Sequence, residues 1–182
     1  NRSRMEQKEN VVLIGMPGVG KSTAGVIVAK MLGYHFIDTD LLIQSQEKAL
    51  LSQLIERLGE TGFLSLENKT VAGLCAQHAV IATGGSVVYG TDAMRHLRQL
   101  GTIVYLKLDY DTICSRLDNL RTRGVILTGQ VDFKQVYDER VLLYEKYADI
   151  VVDERDCDIE QTVQKILQAL QAVRQAEVKQ ED

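Results

Sequence analysis

Gly15-Met16-Pro17-Gly18-Val19-Gly20-Lys21-Ser22 stands directly behind the β-branched run Val11-Val12-Leu13-Ile14. The stretch fits G-x-x-x-x-G-K-[ST], with a strand before it and a helical pattern after it. Glycines let backbone N–H groups turn inward around phosphate oxygens, where side chains would block them. A helix opening at Lys21 points its positive end at the same anion. Gly18, Val19, Gly20, Lys21, Ser22 and Thr23 are therefore candidate binders of a nucleotide's phosphates. Lys21 is placed to reach the β- and γ-phosphates, and the Ser22 hydroxyl to ligate Mg2+. Pro17, the single proline of the 182 residues, fixes its own φ and so stiffens a loop that must hold several amides in place. The competing reading is a Gly-rich turn with no ligand, and the flanking strand and helix weigh against it.

The elements on either side follow a regular alternation. Ala24, Ile27, Val28, Met31 and Leu32 fall at i, i+3, i+4, i+7 and i+8, and Gly33 supplies a helix stop. Tyr34-His35-Phe36-Ile37 reads as a strand ending in Asp38-Thr39-Asp40. Two or three helical segments fill 41–77. Ala79-Val80-Ile81-Ala82 is a strand stopped by Thr83-Gly84-Gly85-Ser86. A helix over 91–99, the strand Ile103-Val104-Tyr105-Leu106 and a helix over 110–120 come next. Residues 121–131 contain Arg and Gly and lack a period, which predicts a mobile lid. A helix over 132–147, the strand Ile150-Val151-Val152 and a last helix from Ile159 complete the chain, whose polar end over 175–182 is expected to fray. Short apolar strands alternating with helices predict an α/β protein in three αβα layers. Its five-stranded parallel sheet would carry helices on both faces, as a single domain over 1–182. Ligands of such sheets bind at the carboxyl ends of the strands, where 15–20, 38–40 and 84–85 all converge.

Composition narrows the function. Hydrophobic residues make up 45% and charged residues 25%, enough to bury a sizeable core. The formal net charge is −4, from 21 basic and 25 acidic residues, with no like-charge run of five. A nucleic-acid partner would call for a basic surface. No apolar stretch approaches the ~20 residues of a membrane span, and no signal peptide is seen before the first strand. Cys75, Cys114 and Cys157 are scattered and form no CxxC, which argues for a reducing cytosol. The chain is expected to be a cytoplasmic monomer acting on a small molecule, without nucleic acid or membrane partners. Asn1-Arg2-Ser3-Arg4 ahead of Met5 reads as a cloning remnant. Cys75 and Cys114 fall in apolar helical patterns and are expected in the core. His35, His78 and His96 form no cluster and are read as structural or surface residues.

Three further groups carry candidate chemistry. Asp38 and Asp40, two apart at a strand end, point the same way in extended chain. One can hold Mg2+ and the other can accept a hydroxyl proton; alternatively, either caps the following helix. Arg121 and Arg123 lie in the predicted lid, with Gly124 and Gly129 as possible hinges, and Arg140 lies in the helix behind it. An arginine closing over the γ-phosphoryl oxygens would stabilise their charge; alternatively, these are solvated surface arginines. Gly84-Gly85 allow close approach of a ligand, or simply a tight turn.

Taken together these residues resemble the shikimate kinase family. The marks are Gly15–Thr23, Phe36-Ile37-Asp38-Thr39-Asp40, Gly59-Glu60 with Phe63 and Glu67, Thr83-Gly84-Gly85, and Glu139-Arg140 followed by Leu143-Tyr144. The resemblance runs from Val11 to about Leu170. It implies a P-loop kinase with a lid, using ATP and Mg2+ and phosphorylating shikimate. Residues 15–23 and Asp38 would hold MgATP, Arg116 would lie against adenine, and Arg121 or Arg123 would contact phosphate. Asp40 would hold and deprotonate the acceptor hydroxyl, and Arg140 would take its carboxylate. The chain departs from the family on the acceptor side. Leu64 stands where an arginine of the carboxylate clamp is usual, and Ser86 where a third glycine is. The lid reads Arg123-Gly124-Val125-Ile126-Leu127 instead of Arg-Pro-Leu-Leu, and Arg140-Val141-Leu142-Leu143-Tyr144 lacks its proline. These changes suggest a less charged acceptor or a rebuilt clamp. The alternatives are a kinase of the same family acting on another small hydroxylated acceptor, and a nucleotide-binding protein without transfer activity.

Overall fold

Strand β1 (Asn10–Ile14) is buried at every residue, so the sheet around it is covered on both faces. The computed structural model describes residues 9–121 and 132–181. Four further strands flank β1: β2 (His35–Asp38), β3 (Ala79–Ala82), β4 (Gly101–Lys107) and β5 (Ile150–Asp153). Their order is β2-β3-β1-β4-β5, and every pairing is parallel. Val12 lies opposite Ile81 on one side and Ile103 on the other. This is the expected five-stranded α/β sheet. The chain leaves β1 toward β2, returns through β3, and crosses to β4 on the far side. The carboxyl end of β1 is thus a topological switch point, where open α/β sheets bind ligands.

Seven helices are described: α1 (Lys21–Leu32), α2 (Thr39–Glu47), α3 (Leu51–Ala72), α4 (Thr91–Leu100), α5 (Tyr110–Arg121), α6 (Phe133–Tyr147) and α7 (Ile159–Glu181). Helix α1 packs on β2 and β3 and against α7, whereas α3 packs along α4, and α4 and α6 lie on β4. The expected segments within 41–77 resolve into α2 and α3, and α3 breaks at Gly59, whose φ of 73° and ψ of 174° are non-helical.

One expectation, the burial of two cysteines, is corrected. The tail is helical, α7 running on to Glu181. No Gly or Pro interrupts it, and Arg174 Nη2 donates to the Tyr34 hydroxyl at 2.9 Å, tying the helix to the body. Cys75 is exposed and Cys114 half-buried rather than core; Cys75 falls in the loop behind α3, beyond the apolar pattern that suggested burial. The predicted lid over 121–131 lies, apart from the backbone of Arg121, outside the described residues, as does the segment 1–4. The histidines are peripheral: His78 pairs with Glu9, and His96 meets the Leu74 carbonyl.

The core is fastened in part by a polar residue. Asn10 is buried in β1. Its Nδ2 donates to the carbonyls of Ala76 (3.0 Å) and Leu100 (2.9 Å), and its Oδ1 accepts from the Ala79 amide (2.9 Å). It thereby joins the starts of β1, β3 and β4. No described helix is long and apolar enough to cross a membrane.

Candidate active site

The loop between β1 and α1 is anchored from below. The Val19 side chain is buried in the core and pins the loop there. Gly20 is the N-cap of α1 with φ 88°, a left-handed conformation that costs glycine little. Lys21 Nζ donates to the carbonyls of Gly15 (2.7 Å) and Met16 (2.9 Å), which holds the ammonium inside the loop. Burial lowers its pKa to about 8, with Asp40 pulling the other way. Thr23 is exposed one residue beyond Ser22. Arg116, from α5, reaches this loop, with its Nη1 donating to the Gly18 carbonyl at 3.1 Å.

The two aspartates behave differently from the expected pair. Helix α2 begins at Thr39, so Asp40 sits in its first turn and the extended-chain geometry does not apply. Asp38 is the cap: its Oδ1 accepts from the amides of Asp40 (3.0 Å) and Leu41 (3.2 Å). Its Oδ2 accepts from the Ser22 hydroxyl at 2.7 Å. Capping and the contact with Ser22 are therefore served by the two oxygens of one side chain. A hydroxyl and a carboxylate side by side are hard oxygen donors of the kind Mg2+ prefers, and Mg2+ completes its shell with phosphate and water.

Asp40 turns instead toward Gly84. A Cβ placed on Gly84 would stand 2.7 Å from Asp40 Oδ1 and 2.9 Å from Glu67 Oε2. A Cβ on Gly85 would stand 2.8 Å from Pro17 Cδ and 3.0 Å from Arg140 Nη1. The glycine pair therefore forms a floor with two acids at one end and a guanidinium at the other, and a side chain at either glycine would push against these groups. The Tyr144 hydroxyl donates to the Gly85 carbonyl at 2.5 Å and fixes this floor to α6, one turn beyond Arg140. Arg140 lies 5.4 Å from the centre of the Tyr89 ring, and its buried Nε has no hydrogen-bond partner among the described residues. The Asp40 pKa is raised, first by burial and then by Asp38, with Lys21 opposing. A carboxyl so placed is a better proton acceptor than an ordinary aspartate.

Sequence reasoning left two buried acids without a role. Glu67, 2% exposed, lies on α3 and accepts from the Ser86 hydroxyl through Oε1 at 2.6 Å. Burial pushes its pKa up to about 7, against the opposing bond from Ser86. Glu154, just past β5, is likewise buried and is pushed up to about 7, with Arg116 and Lys21 opposing. Glu67 is marked in the sequence only as part of the family resemblance and Glu154 not at all, because both become site residues through packing. The structure brings together Gly18 to Thr23, Asp38, Asp40, Gly84, Gly85, Arg116 and Arg140 at the carboxyl edge of the sheet. The Arg121 side chain and all of Arg123 lie outside the described residues.

A family model described as shikimate kinase matches residues 17–171. The chain belongs to the shikimate kinase family. It is an ATP-dependent phosphotransferase with a hydroxyl group as acceptor. The shikimate kinase of Thiobacillus denitrificans is 32% identical over 152 residues, covering 82% of this chain and 83% of that protein. Among solved structures, a shikimate kinase from Acinetobacter baumannii in complex with shikimate superposes with a TM-score of 0.80 at 26% identity, covering 94% of this chain and 98% of that one. The shikimate kinase of Aquifex aeolicus gives a TM-score of 0.76 at 27% identity, covering 91% and 98%. On the nucleotide side the family match opens inside the phosphate loop, at Pro17.

Proposed function

We propose that this chain transfers the γ-phosphoryl group of ATP to the 3-hydroxyl of shikimate. The observation that carries this reading is the polarity of the Gly84-Gly85 floor. Asp40 stands at one end and Arg140 at the other, beside the phosphate loop. A ring bearing a carboxylate on one side and hydroxyls on the other fits that polarity. Arg140 takes the carboxylate, as a charge-assisted contact, and Asp40 holds the reacting hydroxyl and accepts its proton. Lys21 and the loop amides hold the phosphates in line with that oxygen. Ser22 and Asp38 would hold Mg2+, which neutralises charge on the β- and γ-phosphoryl oxygens. Arg116 would lie against adenine, and Arg121 or Arg123 would complete the phosphate contacts. The enzyme is proposed to act as a monomer. The three free cysteines support the cytoplasm as its compartment.

Leu64 favours a second reading, in which the same transfer serves another small hydroxylated acceptor, since one cation of the usual clamp is missing. An ADP-release assay separates the two. Turnover well above background ATP hydrolysis at millimolar shikimate is expected. Background rates with shikimate, together with turnover of another hydroxy acid in a panel, would establish the second reading.

A further inference from the structure

Under the proposed reaction Arg140 takes the acceptor's carboxylate, and Leu64 on α3 supplies no second cation for that task. A guanidinium on a long stem loses rotamer freedom when it binds, and a contact that holds it beforehand reduces that cost. Hydrogen bonding at Nε does not hold it, because that atom is buried and has no partner among the described residues. Two neighbours do bound the guanidinium. One is Gly85: a Cβ there would stand 3.0 Å from Arg140 Nη1, so the group lies close along bare backbone. The other is Tyr89. Arg140 Cζ stands over its ring, 5.4 Å from the centre.

The ring is itself well held. Tyr89 ends the short turn Val87–Tyr89, which follows the glycine pair after Ser86 and packs between α3 and α6. Val87 and Val88 are buried and anchor the turn from below. On the α3 side Ser86 donates to Glu67, and on the α6 side the Tyr144 hydroxyl donates to the Gly85 carbonyl. Tyr89 is only half-buried, so its ring borders the site instead of closing into the core. Burial raises its pKa and Arg140 opposes that rise, which places the hydroxyl in the field of the same guanidinium.

We infer that Tyr89 is a positioning residue for the acceptor's carboxylate, its ring holding the Arg140 guanidinium at the Gly85 end of the floor before the acceptor arrives. The negative face of an aromatic ring attracts a cation above it. A guanidinium lying on a ring keeps its N–H edge for other partners, so the contact leaves Arg140 able to donate to a carboxylate. Tyr89 thus acts through Arg140 and takes no part in proton or phosphoryl transfer. Its effect belongs in the KM of an anionic acceptor, not in kcat and not in the KM of ATP.

The inference rests on shikimate as acceptor, and the test separates the two. Initial rates give kcat and KM for shikimate and for its methyl ester, which lacks the negative charge, and KM for ATP. The enzymes are the unsubstituted protein, Tyr89→Phe, Tyr89→Leu and Tyr89→Met. Phenylalanine keeps the ring; leucine and methionine fill space without one, and either serves if the other does not fold. Loss of the ring is expected to raise KM for shikimate roughly 3-fold to 10-fold, as for a partly desolvated cation–π contact. The same variants should change kcat and KM for ATP by about 2-fold or less. Tyr89→Phe should stay within about 2-fold of the unsubstituted enzyme throughout, because the ring remains. With the methyl ester the ringless variants should lose about 2-fold or less, since Arg140 then meets no anion. An unchanged KM for shikimate, a rise that is equal for shikimate and its ester, or an equal rise in Tyr89→Phe would overturn the inference and leave the reaction standing. Failure of the unsubstituted enzyme to phosphorylate shikimate would overturn the reaction and this inference with it.

Discussion

At the scale of single residues, Asp38 and Asp40 divide work that their spacing alone leaves undivided. Asp38 spends both oxygens, one on the α2 amides and one on Ser22. Asp40 keeps its carboxyl for the acceptor floor, and burial raises its pKa. Asp40→Asn keeps the shape and removes the base. Its kcat is expected to fall by roughly 100-fold to 10,000-fold, the span of general-base catalysis. ADP affinity, read by calorimetry, should stay close to that of the unsubstituted enzyme, since no described hydrogen bond links Asp40 to the phosphate loop. A kcat within a few-fold of the original would remove Asp40 from the base role. Because protonation silences a base, the rate should also decline on the acid side, at a pH above that of an ordinary aspartate. The division was legible only in part. Two acids at a strand end beside a phosphate loop announce metal and base chemistry. Which one caps the helix depends on where α2 starts, a matter of one residue.

Helix α3 shows why the acceptor half of the site is harder to read than the nucleotide half. The phosphate loop is a continuous stretch whose backbone performs the task, so its pattern survives in the letters. The acceptor floor is assembled from α2, α3, the turn behind β3, and α6, and its members meet only after folding. Leu64 and Ser86 are visible in the sequence as departures, and Glu67 only as part of a resemblance. That Ser86 holds Glu67 through its hydroxyl emerges from packing. Asn10 is a similar case: a polar residue opening an apolar run, whose three bonds reach loops far along the chain. The α3 argument predicts the effect of restoring a cation. Leu64→Arg places a guanidinium on the face that carries Glu67 and is expected to lower KM for shikimate about 3-fold to 10-fold. That is the low end of a charge-assisted contact, because Glu67 competes for the new cation. Steady-state kinetics with shikimate at saturating ATP measure it. An unchanged or higher KM would show that position 64 does not set acceptor affinity.

Across the whole molecule, the alternation of short apolar strands with helices was enough to predict the parallel sheet. Parallel strands buried on both faces leave little freedom of pattern. What alternation does not report is the cost of gathering acids at one edge of that sheet. Folding takes Glu67 from water into a site that raises its pKa from 4.5 to about 7. Between those values the unfolded chain has released the proton and the folded chain still holds it. Stability from this group is therefore greatest at low pH and falls as pH rises through that window. Between pH 6 and pH 8 the loss from Glu67 is on the order of 1 kcal/mol. Glu154, also pushed up to about 7, acts with the same sign. Lys21, lowered from 10.5 to about 8, acts with the opposite sign, stability rising with pH, but only above about 8. The protein should therefore resist urea better at pH 6 than at pH 8, at constant ionic strength. Glu67→Gln, which has nothing to titrate, should lose part of that difference and be the more stable partner at pH 8. Equal slopes for the two proteins between pH 6 and pH 8 would mean that Glu67 folds as an ordinary carboxylate.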